Sequence, residues 1–534
     1  MKNNTRPSET GIRIFRAGFI LITALAMTAC VSMPPNDGLV ASYALEDTDD
    51  STLGVGVTRA VAANEGKTGV VLLTTGLDAF VARAALAATA ERSLDVQYYL
   101  FHRDLSGRLL LNQLLKAADR GVRVRLLVDD MDMADTDVGL AILDAHPNME
   151  VRLFNPFARN RSRLGQYVSR FGSVTRRMHN KSFTADNQMT IIGGRNIGDE
   201  YFEADPAIAF ADIDALFAGS AAKEVSKSFD LYWNNELSYN VSSLGEAEPT
   251  AAEVTQARKN LSDWVALQQD SPYMRALEGS HLGQKIRQNV VEYKWAEVEI
   301  FYDLPEKISS SRKDTHLHMG QYLAPYFENV QHEVLIISPY FVPGKTGTRA
   351  LCELEGRGVS VSVLTNSLAS TDVAVVHAGY LRYRKKLLQC GVKIFEANSR
   401  LVKRDTSGLE YQSEDADKKR KLGMSRSSLH AKMFVFDRQY TFIGSLNLDP
   451  RSVVENTEIG SIIDSAVIGE DVAQRITSKV PLVAFTVSLD ENGNIRWDGY
   501  EDGKPVSYTT EPHTTFFERM GTQIMRIMPI ESQI

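Results

Sequence analysis

The sequence predicts an α/β protein of two related lobes packed about a pseudo-twofold axis, and three observations carry that expectation. Its 534 residues exceed the ~100–200 usual for one domain. From Leu77 onward, helical and strand periodicities alternate, which implies βα units and a largely parallel sheet with helices on both faces. The third observation is a stretch that occurs twice. Residues 177–196, RMHNKSFTADNQMTIIGGRN, set His179, Lys181 and Asp186 at the spacing H-x-K-x4-D, and six residues later comes Gly193-Gly194-Arg195-Asn196. Residues 429–447, LHAKMFVFDRQYTFIGSLN, repeat this with His430, Lys432, Asp437 and Gly444-Ser445-Leu446-Asn447. Agreement at five positions and in both gaps marks a duplication.

Residues 1–30 read as a signal peptide. Lys2, Arg6, Arg13 and Arg16 precede an uncharged run over residues 17–29. Such a run fits a signal segment and is short for a spanning helix, which needs ~20 residues. It ends Met27-Thr28-Ala29-Cys30, which resembles a lipoprotein processing site with Cys30 as the lipidated first residue; an uncleaved anchor is the alternative. Val31 in place of Asp resembles an outer-membrane address, so the expected location is the bacterial cell envelope, anchored at Cys30 and facing the periplasm. Loss of this leader removes four basic residues and Glu9, a net +3, and takes the charge from −8 to −11. That balance lacks the basic footprint of a nucleic-acid binder. Residues 31–67 are polar, with Pro34, Pro35 and an acidic cluster, and read as a tether.

The first lobe is assigned to residues 68–240. Residues 94–99 form an apolar strand; Leu111, Leu114, Leu115 and Ala118 lie on one helix face; Gly121 ends that helix; strands follow at 122–128 and 151–154. Ahead of the first motif runs Arg159-Asn160-Arg161-Ser162-Arg163, then Arg170, Arg176 and Arg177. Two readings stand for these arginines, a solvated loop or a patch for anionic lipid head groups at a site mouth. Gly193, Gly194 and Gly198 allow close backbone approach to a ligand.

Residues 241–291 are poorly patterned and then helical, and form the inter-lobe segment. The second lobe, with a C-terminal extension, takes residues 292–534, opening on a strand at 298–302. Residues 334–338 match the first-lobe strand 94–99, and Arg120-Gly121-Val122 returns as Arg357-Gly358-Val359. The two histidines lie further apart than these triplets, so the second lobe carries about fourteen extra residues before its motif, placed within residues 399–428. That polar stretch, with Lys418, Lys419, Arg420 and Lys421, reads as a mobile flap beside the site, a plain disordered insert being the alternative. Cys352 and Cys390 form either one disulfide or two buried thiols. His316 and His318 have no further ligand at metal spacing. YLRYRKK at 380–386 reads as an amphipathic helix. Residues 516–534 are apolar with few charges, and either dock on the second lobe or lie in a membrane interface.

In H-x-K, the period of two puts both side chains on one face of an extended chain. Imidazole is a nucleophile and proton carrier near neutral pH, and an ammonium two residues away holds a phosphoryl oxygen. Asn196 and Asn447 can donate to other oxygens. Two half-sites facing each other let one histidine attack phosphorus while the other protonates the leaving oxygen, with no metal or cofactor.

The duplicated motif resembles the phospholipase D superfamily, with its two HKD motifs. The segments LDVQYY, RLFNPF, RRMHNKSFT, GGRNIGD, TNSLASTDVAVVHAGY and DPRS resemble its bacterial cardiolipin synthase C type. The resemblance implies two α-β-α sandwich lobes with the site at their junction, and catalytic roles for His179, Lys181, Asp186, His430, Lys432 and Asp437. It implies His179 as the nucleophile and an acid after each motif orienting that motif's histidine: Asp212 for His179 and Glu458 for His430. Asp186 and Asp437 are expected to brace the lysines and strand ends. The implied activity is phosphatidyl transfer between phospholipids by a transferase at a membrane surface, phosphatidylglycerol being the expected substrate and a monomer the expected state. Phospholipase D hydrolysis to phosphatidic acid is the alternative; a nucleic-acid phosphodiesterase and a binding-only lipoprotein are lesser ones.

Overall fold

The computed structural model describes residues 33–528 except 34–35, 37, 134–135, 160–161, 171, 206–208, 245–247, 289 and 401–426. The expected signal segment with Cys30, most of the expected flap, and Arg161 in the basic run lie outside the described residues.

Two mixed sheets meet edge to edge. In the first lobe the parallel trio Ser93–Tyr98, Arg123–Asp129 and Met149–Phe154 is flanked on one side by Ser238–Asn240. On its other side the antiparallel strands Ser182–Ala185, Met189–Gly193, Asp214–Ala218 and Thr68–Leu73 follow in that order. The second lobe repeats this. Its parallel trio is Glu333–Ile337, Ser360–Asn366 and Lys393–Ala397. The antiparallel strands Met433–Phe436, Tyr440–Gly444, Ile459–Asp464 and Lys294–Tyr302 lie to one side, and Ala484–Leu489 to the other. Thr68–Leu73 pairs antiparallel with Lys294–Tyr302, Gly69 opposite Trp295, so the pseudo-twofold passes between these edges. The expectation of a largely parallel sheet is corrected: among the described residues, two strand pairings within each lobe are parallel and the others antiparallel. Helical crossovers produce the parallel pairings, whereas each H-x-K-x4-D motif enters a hairpin, which must be antiparallel.

The local chemistry explains the repeated elements. Asp104 caps the helix Leu105–Asp119 by accepting from Gly107 N. Gly121 and Gly358, at φ 95° and 89°, follow equivalent helices in the left-handed conformation that glycine tolerates best. One apolar cluster serves both lobes, joining Ile192, Ile213 and Phe217 to Leu335, Ile443 and Ile463. At about 1.5–3 kcal/mol for each buried side chain of this size, this junction outweighs any exposed ion pair across it.

Three further expectations change. Part of the expected tether is folded: the helix Thr52–Ala63 packs on the first lobe, Arg125 donates to Ser42 O (2.8 Å), and Arg152 to Val40 O (2.7 Å). YLRYRKK is broken between the helices Ala374–Tyr380 and Arg384–Gln389, and Arg384 is buried between Glu396 and Glu511. Several arginines of the basic run have internal acidic partners. Arg159 pairs with Asp130 and Asp137, Arg176 with Glu455, and Arg177 with Asp129. No helix among the described residues is long and apolar enough to cross a membrane.

A disulfide joins Cys352 to Cys390, deciding the alternative left open by the sequence. It ties the helix Gly344–Gly356 to the residue capping Arg384–Gln389 across a separation of 38 residues. Closing a loop of this length stabilises a fold by about 2–4 kcal/mol. Cys352→Ala/Cys390→Ala is expected to lose that much in denaturant unfolding, with no further loss when reductant is added. A double variant as stable as the parent would contradict this.

Candidate active site

Each histidine lies on an extended segment leading into its hairpin, and each segment is paired by its backbone with the other lobe. His179 N donates to Thr457 O (2.8 Å) and Thr457 N to Arg177 O (3.0 Å). His430 N donates to Ala211 O (2.8 Å), after Ser427–Leu429 has run parallel to Ala209–Ala211. The next residues on these partner strands are Glu458 and Asp212. The carboxylates are therefore exchanged. His179 Nδ1 is 2.8 Å from Glu458 Oε2, and His430 Nδ1 is 2.6 Å from Asp212 Oδ2. This corrects the same-lobe pairing implied by the family resemblance. A carboxylate at Nδ1 favours the proton there; at His430, Lys432 Nζ also lies 3.0 Å from Nδ1 and 3.4 Å from Nε2.

Lys181 and Lys432 each turn back on their own histidine, donating to the carbonyls of His179 and His430 at 2.6 Å. Both lysines are buried, and the imidazole side chains are 11 % and 9 % exposed. Tyr99 meets His179 edge-on at 5.0 Å between ring centres, and Phe210 stacks on His430 at 5.3 Å.

The electrostatics follow from crowding these charges into a desolvated space. Burial, with the charges of Lys181 and Lys432, holds His179 well below the ordinary imidazole value. Burial and Lys432 also lower His430, while Asp212 pulls the other way. Burial takes Lys181 down to about 7 against the pull of Glu458, and lowers Lys432. Burial raises Glu458 to about 7 against Lys181 and the hydroxyl of Ser445. Burial acts to raise Asp212 too, but His430 and Lys432 outweigh it and the group is lowered.

Asp186 and Asp437 stand apart from this cluster. Asp186 accepts from the amides of Glu91, Arg92 and Ser93; Asp437 does the same for Gln331, His332 and Glu333. Both sit in the left-handed conformation, at φ 50° and 49°. They clamp the starts of Ser93–Tyr98 and Glu333–Ile337, as expected for strand ends, but their hydrogen bonds go to turn amides instead of the lysines. Asn196 also differs from expectation: its amide donates to the Tyr201 hydroxyl (2.9 Å) and its carbonyl accepts from Leu100 N (3.2 Å). Asn447 reaches Ser452 Oγ at 3.4 Å.

Several supporting residues are not evident from the sequence. Asp303 accepts from Glu458 N (2.8 Å) and from Lys307 Nζ (2.9 Å). Asp129 accepts from Met178 N (2.9 Å) and Arg177 Nε (2.7 Å), fixing the residue before His179. Ser445 donates to Glu458 Oε2 at 2.5 Å. At the equivalent position, a Cβ on Gly194 would stand 2.2 Å from Asp212 Oδ1, so glycine is needed there. The repeated G-[GS]-x-N pattern is the available signal for these two positions; Asp303 has none. Asp214, near Asp212 in the chain, pairs with Arg83 and Arg195.

Among the described residues, His102, Asp104 and Glu200 bring three ligand atoms as close together as a cation site would need. Although burial opposes it, Asp132 and Glu200 raise His102 to about 10.

Comparison with known proteins identifies the family. The family model described as "Cardiolipin synthase, PLD-like domain" matches residues 84–233 and 323–480. Cardiolipin synthase C of Escherichia coli (strain K12) is 38% identical over 467 residues, 87% of this chain and 96% of that protein. An uncharacterized protein of Helicobacter pylori (strain J99) is 31% identical over 516 residues, 95% of this chain and 96% of its own length. The crystal structure of phosphatidylserine synthase from Haemophilus influenzae Rd KW20 superposes with a TM-score of 0.53 at 13% identity, covering 90% of this chain and 100% of that one, a likeness of fold. The chain belongs to the cardiolipin synthase, phospholipase D-like family.

Proposed function

We propose that the protein is a phosphatidyltransferase that makes cardiolipin-type lipid through a phosphohistidine intermediate. The observation that carries this reading is the pairing of two histidine–lysine half-sites, each histidine backed by a buried carboxylate of the other lobe. The likeness to cardiolipin synthase C over nearly the whole of both chains supports transfer over hydrolysis.

The phosphodiester of a donor phospholipid lies between the histidines, with Lys181 and Lys432 on its non-bridging oxygens. His179 is the neutral imidazole, and its Nε2 attacks phosphorus. The bond to the head-group oxygen breaks, and that oxygen takes a proton from His430, whose imidazolium Asp212 stabilises. The phosphatidyl group is now on His179. The terminal hydroxyl of phosphatidylglycerol then gives its proton to His430 and attacks phosphorus; the P–N bond breaks and cardiolipin leaves. Water in place of that hydroxyl would give phosphatidic acid. The leader supports a cell-envelope location with Cys30 as a lipid anchor. The Cys352–Cys390 disulfide fits an oxidising compartment.

In mixed micelles of phosphatidylglycerol and phosphatidylethanolamine, mass spectrometry is expected to show cardiolipin, with His179→Ala and His430→Ala each reducing it by about 10²–10⁴-fold or more. Phosphatidic acid alone would make the protein a hydrolase.

A second expectation concerns pH. Lys181, lowered to about 7, is protonated below that value and neutral above it. An unreactive tetrahedral anion such as tungstate should therefore bind more weakly as pH rises from about 6 to about 8.5, by up to about tenfold per unit above the midpoint. Lys181→Met should bind weakly throughout. Calorimetric titration reads this directly, and an affinity independent of pH would contradict the assignment.

A further inference from the structure

The C-terminal helix Phe516–Ile527 lies on the protein with its apolar face turned outward. A capping box formed by Thr515 and Glu518 starts it. The side toward the second lobe carries the buried Thr522 and the half-buried Arg519 and Met525. The other side exposes Phe516 (64 %), Phe517 (75 %), Met520 (44 %), Ile524 (54 %) and Ile527 (82 %). A helix folded on a globular surface normally points such a stripe at the core, and a contiguous exposed patch marks a docking surface.

Its position points to the occupant. The helix packs beside Ala374–Tyr380, and the Arg382 guanidinium donates to Met528 O at its end. Asp372, just before Ala374–Tyr380, accepts from the Tyr340 hydroxyl (2.7 Å), and its charge acts on both His430 and Lys432. The helix thus contacts the element that follows Asp372, whose charge reaches the second half-site. Twelve residues span only about 18 Å, too short to cross a bilayer but suited to lie in its interface. The exposed Arg526 supplies positive charge for anionic head groups.

We propose that the helix Phe516–Ile527 docks the protein on a lipid bilayer, its phenylalanine and isoleucine face entering the head-group boundary beside the site. This rests on the reading of the substrate as a phospholipid.

The test uses the full chain with Cys30→Ser, which removes acylation, and the disulfide left oxidised. Nitroxide labels are placed at Phe517→Cys, Ile524→Cys and, as an exposed control remote from this helix, Lys259→Cys. On adding vesicles of phosphatidylglycerol and phosphatidylethanolamine, labels at 517 and 524 should gain oxygen accessibility and lose access to an aqueous nickel chelate several-fold. The label at 259 should change less. Unchanged aqueous access at 517 and 524 would overturn the proposal; so would dipolar coupling between copies, which would assign the face to a second copy of this chain. In a second arm, Phe517→Asp/Ile524→Asp should lose at least tenfold turnover on vesicles and keep the parent's turnover of a monomeric short-chain phosphatidylglycerol. Equal turnover of vesicles by variant and parent would also overturn it. If the parent turns over neither lipid, the proposed activity fails, and the labels still decide whether the helix docks.

Discussion

The site depends on one constraint, the backbone pairing of each histidine segment with a strand of the opposite lobe. Thr457 on His179 and Ala211 on His430 bring the next residues, Glu458 and Asp212, onto the two imidazoles. Neither lobe alone holds a complete histidine–carboxylate pair. The apolar cluster shared by both lobes keeps the pairs in place, so the stability of the junction and the geometry of the site are one property.

The charges in this cluster are costly to the fold. Two lysines, two histidines and two carboxylates are buried together, and removing one member of a buried pair typically costs about 3–5 kcal/mol. Burial instead shifts the groups toward neutrality, most clearly at His179 and Lys181. The two halves are unequal. Asp212 is held ionised beside His430, whereas burial raises Glu458 beside His179. This difference in charge between the two halves is not evident from the near-identical motifs.

The repeated residues are the legible part of the sequence. Their spacing survives in the chain because both half-sites need the same His, Lys and Asp geometry, and Asp186 and Asp437 recur because two hairpins need the same turn clamp. Partners set by lobe docking are not legible: the exchange of Asp212 and Glu458 depends on which strands meet across the junction. Strand direction is only partly legible, since alternating periodicity does not distinguish a crossover from the hairpins at 182–193 and 433–444. The arginines before His179 resemble a surface patch because their acids, Asp130, Asp137 and Glu455, are distant in sequence or not periodic with them.

The most direct test is imidazole nitrogen NMR on the protein labelled with nitrogen-15 at histidine, comparing the parent with Glu458→Gln and Asp212→Asn. The exchanged geometry predicts that Glu458→Gln moves the His179 resonances and leaves His430 nearly unchanged, while Asp212→Asn does the reverse. If each variant instead moved the histidine of its own lobe, the cross-lobe account of the site would be contradicted.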